Sequence, residues 1–313
     1  MEHYVTLFDS LFLPQGLALH RSMERHCDLY TLWILCIDQD GFDRLKILNL
    51  PHVQLLNLND LECTELKAVR ATRSLREYCW TLTPISVRFV FEADKSIQRV
   101  TYLDADTWFR KNPKPVFQEL DASSKGVLIT DHAYAPEYDV SIESGQYCVQ
   151  FVSFNRKTGE QVRAWWEDRC KEWCYAKSED GKFGDQKYLD QWPILFEGIV
   201  HIAQNKEWFL APWNATRFPY GNAIFWHFQG LRLIKKGNRW RAFFGTYPLP
   251  KVVREYIYSP YLKDLRYAID LLSKVGIPVA SQFELTCLFQ LKNFLRGILD
   301  LRWRANQNLQ SAL

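Results

Sequence analysis

Arg99–Val100–Thr101–Tyr102–Leu103–Asp104–Ala105–Asp106–Thr107–Trp108–Phe109 is the stretch on which the reading of this chain turns. A β-branched and aromatic run stops at two aspartates separated by one small residue, and an aromatic pair follows. Such a run, bounded by polar residues, predicts a buried strand. Where a parallel strand ends, the chain leaves the sheet at the edge on which open α/β folds place their ligands. Two carboxylates about 4 Å apart there repel by roughly 1–4 kcal/mol, depending on the local dielectric. A divalent cation removes that repulsion, and all-oxygen donors favour hard ions such as magnesium or manganese. A solvated Asp-x-Asp turn is the alternative, and the motif by itself does not separate the two.

The residues before this stretch predict a doubly wound α/β fold. Tyr4–Val5–Thr6–Leu7–Phe8 predicts a strand ending at Asp9, and Leu13–Pro14–Gln15 opens a helix that closes near Cys27. Residues 31–36 predict a second strand, followed by Asp38, and a short helix over 42–48 leads to a third strand over 53–56. This β-α-β-α-β order is the doubly wound pattern. No G-x-G-x-x-G follows the first strand and no P-loop Gly-Lys-Ser/Thr is present, so neither a dinucleotide fingerprint nor a Walker cradle is encoded. Residues 61–76 read as a helix carrying Lys67, Arg70, Arg73 and Arg76, a pattern that a solvated basic face also explains. Thr83–Pro84 reads as a helix start, with threonine as N-cap and proline at the first helical position.

Downstream, residues 127–130 predict a strand with Asp131–His132 at its carboxyl end, which adds to Asp9, Asp38 and Asp104 as acidic strand ends. One such aspartate is unremarkable, whereas a series suggests a polar ligand site along one sheet edge. Residues 147–154 predict a further strand, and Thr158–Gly159–Glu160–Gln161 has the capping-box pattern of a helix start. In Phe183–Gly184–Asp185–Gln186, a flexible glycine precedes a short helix with Asp185 in its first turn, where a carboxylate is also simply good capping. Ala211–Pro212–Trp213–Asn214 reads as a loop, and Phe225–Trp226–His227–Phe228–Gln229–Gly230 as a short strand with one histidine before a glycine.

Composition narrows the classes. The 313 residues can bury a substantial core, and a net charge of +3 does not argue for nucleic acid. The 12 tryptophans suit either a Trp-rich core or a concave polar-ligand site. The eight cysteines form no CxxC pair and no zinc-like cluster, which fits reduced thiols and a cytoplasmic setting. Met1–Glu2–His3–Tyr4 runs straight into a strand, with no secretory signal expected, and no apolar run approaches membrane-spanning length. From residue 251 the composition turns helical and basic, with nine Lys and Arg against five Asp and Glu. Residues 1–250 are therefore expected to form the main domain and 251–313 a helical C-terminal appendage. An apolar face over 283–304, flanked by Lys292, Arg296, Arg302 and Arg304, could pack on the domain or rest on a membrane surface.

Taken together, Tyr102–Leu103–Asp104–Ala105–Asp106, Asp185–Gln186–x–x–Leu189 and His227–x–x–Gly230 resemble the GT-A-fold glycosyltransferases. The likeness is to the retaining branch that includes glycogenin-like and bacterial lipopolysaccharide galactosyltransferases. Glu77–Tyr78–Cys79–Trp80–Thr81–Leu82–Thr83–Pro84, residues 183–193 and Ala211–Pro212–Trp213–Asn214 look like a bacterial subgroup found among polysaccharide-assembly proteins. The resemblance covers about residues 3–235 and implies a Rossmann-like, doubly wound mixed sheet. It implies a nucleotide-sugar donor, of UDP-sugar type, and a glycan or lipid-linked glycan acceptor. It also implies a divalent manganese or magnesium ion held by Asp104, Asp106 and His227, bridging the donor phosphates as a Lewis acid. By the same likeness Asp9 would contact base and ribose, and Arg73 would lie near the donor. Asp131 and Asp185 would hold hydroxyls of the transferred sugar, and Gln186 would face the anomeric carbon. Gly230 belongs to the His-x-x-Gly element at the donor.

Two departures stand out. Cys148–Val149–Gln150 occupies the place of an Asn-x-Gly, and the Lys-Pro-Trp expected after His-x-x-Gly is replaced by Leu231–Arg232–Leu233–Ile234–Lys235, so Arg232 or Lys235 would serve the diphosphate. A sugar-nucleotide pyrophosphorylase is the rival enzyme. It needs a glycine-rich phosphate loop after the first strand, where this chain has Phe8–Asp9–Ser10–Leu11–Phe12. A binding protein derived from a transferase is the non-enzymatic rival, and donor turnover separates it.

Overall fold

The computed structural model describes residues 1–282 apart from Tyr220, Gly237 and Asn238. Strand β1 (Glu2–Phe8) ends at Asp9, whose carboxylate accepts from the Leu11 and Phe12 N–H groups and so turns the chain into α1 (Leu13–His26). Strand β2 (Tyr30–Cys36) ends before Asp38, which caps α2 (Gln39–Leu48) by accepting from Gly41 N–H. Strand β3 (Val53–Asn57) is followed by the short helices α3 (Leu58–Leu61) and α4 (Thr64–Arg70) and the long α5 (Leu75–Ala93).

Then come β4 (Arg99–Leu103), β5 (Thr107–Phe109), α6 (Lys114–Ser123), β6 (Val127–Asp131), α7 (Ser141–Ser144), β7 (Tyr147–Asn155) and α8 (Glu160–Glu172). A 3-10 turn (Gln186–Gln191) leads to α9 (Trp192–Leu195), β8 (Val200–Ile202), β9 (Phe209–Leu210) and β10 (Phe225–His227). A hairpin, β11 (Leu231–Lys236) with β12 (Arg239–Phe244), precedes α10 (Lys251–Val253), a π turn (Arg254–Tyr258) and α11 (Ser259–Lys274).

Two expected helix starts fall elsewhere. Thr83–Pro84 does not open a helix. Ser74 does, because its hydroxyl accepts from Glu77 N–H while the Glu77 carboxylate accepts from Ser74 N–H at 2.8 Å. Pro84 consequently lies inside α5, and the helix expected over 61–76 is divided among α3, α4 and the start of α5. At 158–161 no capping box forms: Gly159 takes the cap position with no side-chain bond. A Cβ on Gly159 would fall 2.6 Å from the Gly126 carbonyl oxygen, so close backbone approach governs this corner.

The main sheet runs β3-β2-β1-β4-β7-β6-β8, and only β7 is antiparallel to its neighbours. Because β1, β2, β4 and β6 point the same way, Asp9, Asp38, Asp104 and Asp131 gather on one edge, as the acidic strand ends predict. Helices α5 and α8 bury Tyr78, Leu82, Val90 and Trp166 on one face. Helices α1, α2 and α6 bury Leu17, Met23, Leu45 and Phe117 on the other. Each such side chain contributes about 1.5–3 kcal/mol through removal from water. A small second sheet, β5-β10-β9, stands beside the acidic edge.

Of the segment from residue 251 onwards, α11 packs on α1 and joins Trp108, Trp226 and Phe228 in a third buried cluster. Asp264 anchors it, accepting from Trp108 Nε1 at 2.7 Å, from Arg21 Nε at 2.8 Å and from Arg25. The apolar face read over 283–304 lies outside the described residues. No described helix is long and apolar enough to cross a membrane.

Candidate active site at the acidic sheet edge

The Asp-x-Asp turn is shaped by its own backbone. Thr107 Oγ1 donates to the Asp104 carbonyl at 2.6 Å, closing the turn between β4 and β5. In the second sheet His227 pairs with Thr107, and Phe228 N–H donates to the Asp106 carbonyl at 2.7 Å. This register brings an imidazole from far along the chain against both carboxylates. His227 Nε2 lies 3.1 Å from Asp106 Oδ1 and 3.7 Å from Asp104 Oδ2. The Asp104 side chain keeps 29% of its surface open, against 14% for Asp106 and 8% for His227, so Asp104 faces the cleft and the others its wall.

Electrostatics follow from this placement. Burial pushes the Asp104 carboxyl up, with Asp106 adding to that and His227 opposing it. Burial would also raise Asp106, but His227 and the nearby Arg232 outweigh it and hold the carboxyl below its usual value. For His227 burial works against the charge, and Asp106 overcomes it, raising the imidazole well above its ordinary value. Among the described residues, no group of three or more His, Cys, Asp or Glu side chains is already spread around an ion-sized gap. Here the imidazole lies directly on the carboxylates, in hydrogen-bond reach of Asp106.

Asp185 belongs to the same cluster. Gly184, with φ +52°, turns the chain into the 3-10 segment, and Trp166 Nε1 fixes the corner by donating to the Asp185 carbonyl at 2.8 Å. The Asp185 side chain makes no capping bond. The capping role open to a first-turn carboxylate is thus unused. Its carboxyl is pushed up to about 8, by burial first and by Asp104 second, while the Thr83 hydroxyl pulls the other way.

The remaining sequence candidates are placed as follows. Asp9 is occupied in its own turn, and burial together with Asp38 raises its carboxyl. Asp131 is buried and accepts from Ala133 N–H, Gln146 Nε2 and Lys206 Nζ at 2.6–2.8 Å. Gln186 Nε2 donates to the Ser144 carbonyl at 2.6 Å. Arg73 sits over the Tyr175 ring and donates to the Lys171 carbonyl, at the far end of α8. Gly230 has φ +81° and passes 3.3 Å, measured from where a Cβ would be, from the Gly245 backbone. Arg232 lies over Phe12 and reaches Asp106 electrostatically, whereas Lys235 is exposed beside Trp240. Arg232 is thus the one of the two basic candidates that the fold turns toward the carboxylates.

Several partners of the site were given no contact there by the sequence. Tyr102 OH donates to Asp104 Oδ1 at 3.0 Å from within the strand, where an aromatic reads as core. Trp213 stands edge-on to His227, its ring centroid 5.4 Å away, and Trp213 Nε1 and Asn214 Nδ2 donate to the His132 carbonyl at 2.9 and 3.0 Å. Gln150, read as a lost polar contact, makes one of its own: its Oε1 lies 3.1 Å from His227 Nδ1.

No protein-family model matches the chain. Among curated proteins, YfnF of Bacillus subtilis strain 168 is 31% identical over 248 residues, covering 74% of this chain and 82% of its own length. This chain belongs to the YfnF family. YfnD of the same organism is 26% identical over 283 residues, and both are described as uncharacterized. Among solved structures, mouse xyloside xylosyltransferase 1 matches with TM-score 0.50 at 12% identity, over 72% of this chain and 96% of its own. The galactosyltransferase LgtC, solved with donor and acceptor sugar analogues, matches with TM-score 0.50 at 15% identity, over 73% and 87%. The glycosyltransferase GlyE of Streptococcus pneumoniae TIGR4 matches with TM-score 0.51 at 17% identity, over 91% and 67%. This member of the YfnF family therefore has the GT-A fold, a mixed α/β sheet with helices on both faces.

Proposed function

We propose that the protein is a cation-dependent glycosyltransferase that moves a sugar from a nucleotide-sugar donor, of UDP-sugar type, to a glycan or lipid-linked glycan acceptor. Retention of anomeric configuration and a place in bacterial surface polysaccharide assembly are part of the proposal. The observation that carries it is the meeting of Asp104, Asp106 and His227, from two distant stretches, at the carboxyl edge of a GT-A sheet. The donor set suits manganese or magnesium: two carboxylates and an imidazole whose other nitrogen is already hydrogen-bonded. A bound cation would supply Lewis-acid stabilisation to the departing nucleoside diphosphate.

The chain's own residues then divide the work. Arg232 adds positive charge on the same side of the cleft for the phosphates. Asp9 serves base and ribose, Gly230 lets the backbone come close, and Arg73 would have to leave the Tyr175 ring to reach the donor. Asp185 and Asp131 hold hydroxyls of the transferred sugar, and for Asp131 one of its three present bonds must open. Gln186, released from the Ser144 carbonyl, faces the anomeric carbon. Residues 1–250 carry these groups, and the helical segment from residue 251 braces them. A peripheral position on the inner face of the cell membrane, through 283–304, belongs to the same proposal.

The test is a panel of nucleotide sugars with manganese, read by donor binding and by nucleoside diphosphate release with an added acceptor. Cation-dependent binding and release of one donor type is the expected result. Binding without turnover under any acceptor would convert the reading to a transferase-derived binding protein, and no binding of any donor would overturn both.

A further inference from the structure

Gln150 sits in the middle of β7, on the same side of the strand as Cys148, with no surface open to solvent. Burying a carboxamide without partners costs about 1–3 kcal/mol, so a glutamine in a sheet interior needs a compensating contact. Its main-chain carbonyl accepts from Asp104 N–H at 3.4 Å, and its side-chain oxygen lies 3.1 Å from His227 Nδ1. One residue therefore meets both the backbone N–H of the first aspartate of the Asp-x-Asp turn and the ring of the histidine that β10 delivers beside it. Trp213 closes the imidazole from the edge. The other nitrogen, Nε2, faces the carboxylates, 3.1 Å from Asp106 Oδ1 and 3.7 Å from Asp104 Oδ2.

We infer that Gln150 is a positioning residue for His227. Its amide oxygen accepts the Nδ1 proton, which fixes the ring plane and leaves the Nε2 lone pair for a cation held with Asp104 and Asp106. The inference rests on the cation-binding reading above and adds to it how the histidine is prepared. A histidine whose second nitrogen has a fixed acceptor binds a metal in one tautomer without first reorienting, and loss of such outer partners typically weakens metal affinity 10–100-fold.

The experiment measures manganese affinity by titration calorimetry for the wild type, Gln150→Met, Gln150→Glu and Asp106→Asn, with histidine 15N shifts recorded in the magnesium form. Methionine keeps the volume of glutamine and removes the acceptor, whereas glutamate keeps the acceptor. The expected outcome is a 10–100-fold loss in Gln150→Met, recovery to within a few-fold of wild type in Gln150→Glu, and an Nδ1-protonated His227 in the wild type. Wild-type affinity in Gln150→Met, alongside loss in Asp106→Asn, overturns the inference and leaves the cation reading standing. No manganese binding by the wild type overturns the cation reading itself. If Gln150→Met does not fold, the wild-type spectrum decides: an Nδ1 without its proton in the magnesium form overturns the inference.

Discussion

Asp185→Asn should make the cation-free protein more stable, while removing function. The sign follows from the shift. The Asp185 carboxyl is pushed from an ordinary 3.8 up to about 8, by burial and by Asp104, so the native state holds a proton there that the unfolded chain releases. A raised carboxyl of this kind costs nothing below the unfolded value near 4, and its cost grows as pH rises through the window between the two values. Each tenfold change in proton affinity is worth about 1.4 kcal/mol, so the penalty reaches roughly 4 kcal/mol at neutral pH as an upper bound. An asparagine mimics the protonated acid and must still find a partner for its amide, with the Thr83 hydroxyl at hand. A net gain of about 1–3 kcal/mol at pH 7 is expected after that cost.

The assay is urea unfolding of both proteins with a chelator, from pH 5 to pH 8. The difference between them should widen by about 1 kcal/mol per pH unit, because every other titrating group is common to both. Added manganese should narrow it, since a cation beside Asp104 removes part of the repulsion that raises Asp185. A variant that is less stable than wild type by the same amount at every pH would refute the reasoning and make Asp185 an ordinary structural residue.

Asp104→Ala should abolish manganese binding and cation-dependent donor binding, measured by calorimetry, since the most open of the three donors would be gone. Gln186→Ala should lower kcat more than it raises KM, the mark of a contact made in the transition state, and a change confined to KM would assign Gln186 to binding alone. Asp264→Leu should cost about 2–4 kcal/mol in urea unfolding. The larger part comes from the buried Trp108 indole N–H, left without its acceptor, and the smaller from Arg21 and Arg25, which are 40% and 37% exposed and regain water.

How legible the fold was depends on the range of the interaction that sets each element. Strands β1, β2, β4 and β6 were readable because a buried strand writes its apolar run directly into the sequence. The start of α5 was misplaced because Thr83–Pro84 carries a strong local signal, whereas the cap that forms is the reciprocal pair of Ser74 with Glu77 further upstream. The 158–161 capping pattern failed for a non-local reason, the approach of Gly126 to Gly159. In the site, Asp104, Asp106, Asp185 and His227 were legible as motifs. Gln150 and Tyr102 were not, since an interior strand position that bonds a distant histidine or carboxylate looks no different from core until the strands are paired.

The four acidic strand ends also show what a sequence pattern leaves undivided. In the chain they are equivalent, each an aspartate after an apolar run. In the fold, Asp9 accepts the Leu11 and Phe12 N–H groups on one oxygen, Asp38 accepts the Gly41 N–H and both the N–H and the hydroxyl of Ser10, and Asp131 accepts from a lysine, an amide and a backbone N–H. Asp104 accepts from Tyr102 on one oxygen, while its other oxygen faces His227 Nε2 at 3.7 Å. A carboxylate already satisfied by protein donors has little to gain from a ligand, because binding must first break bonds worth about 1.5–3 kcal/mol each to a charged group. Asp104, with Asp106 and Asp185 around it, is therefore a place on the acidic edge where a ligand has few protein bonds to break. That is where a cation and a diphosphate would gain most.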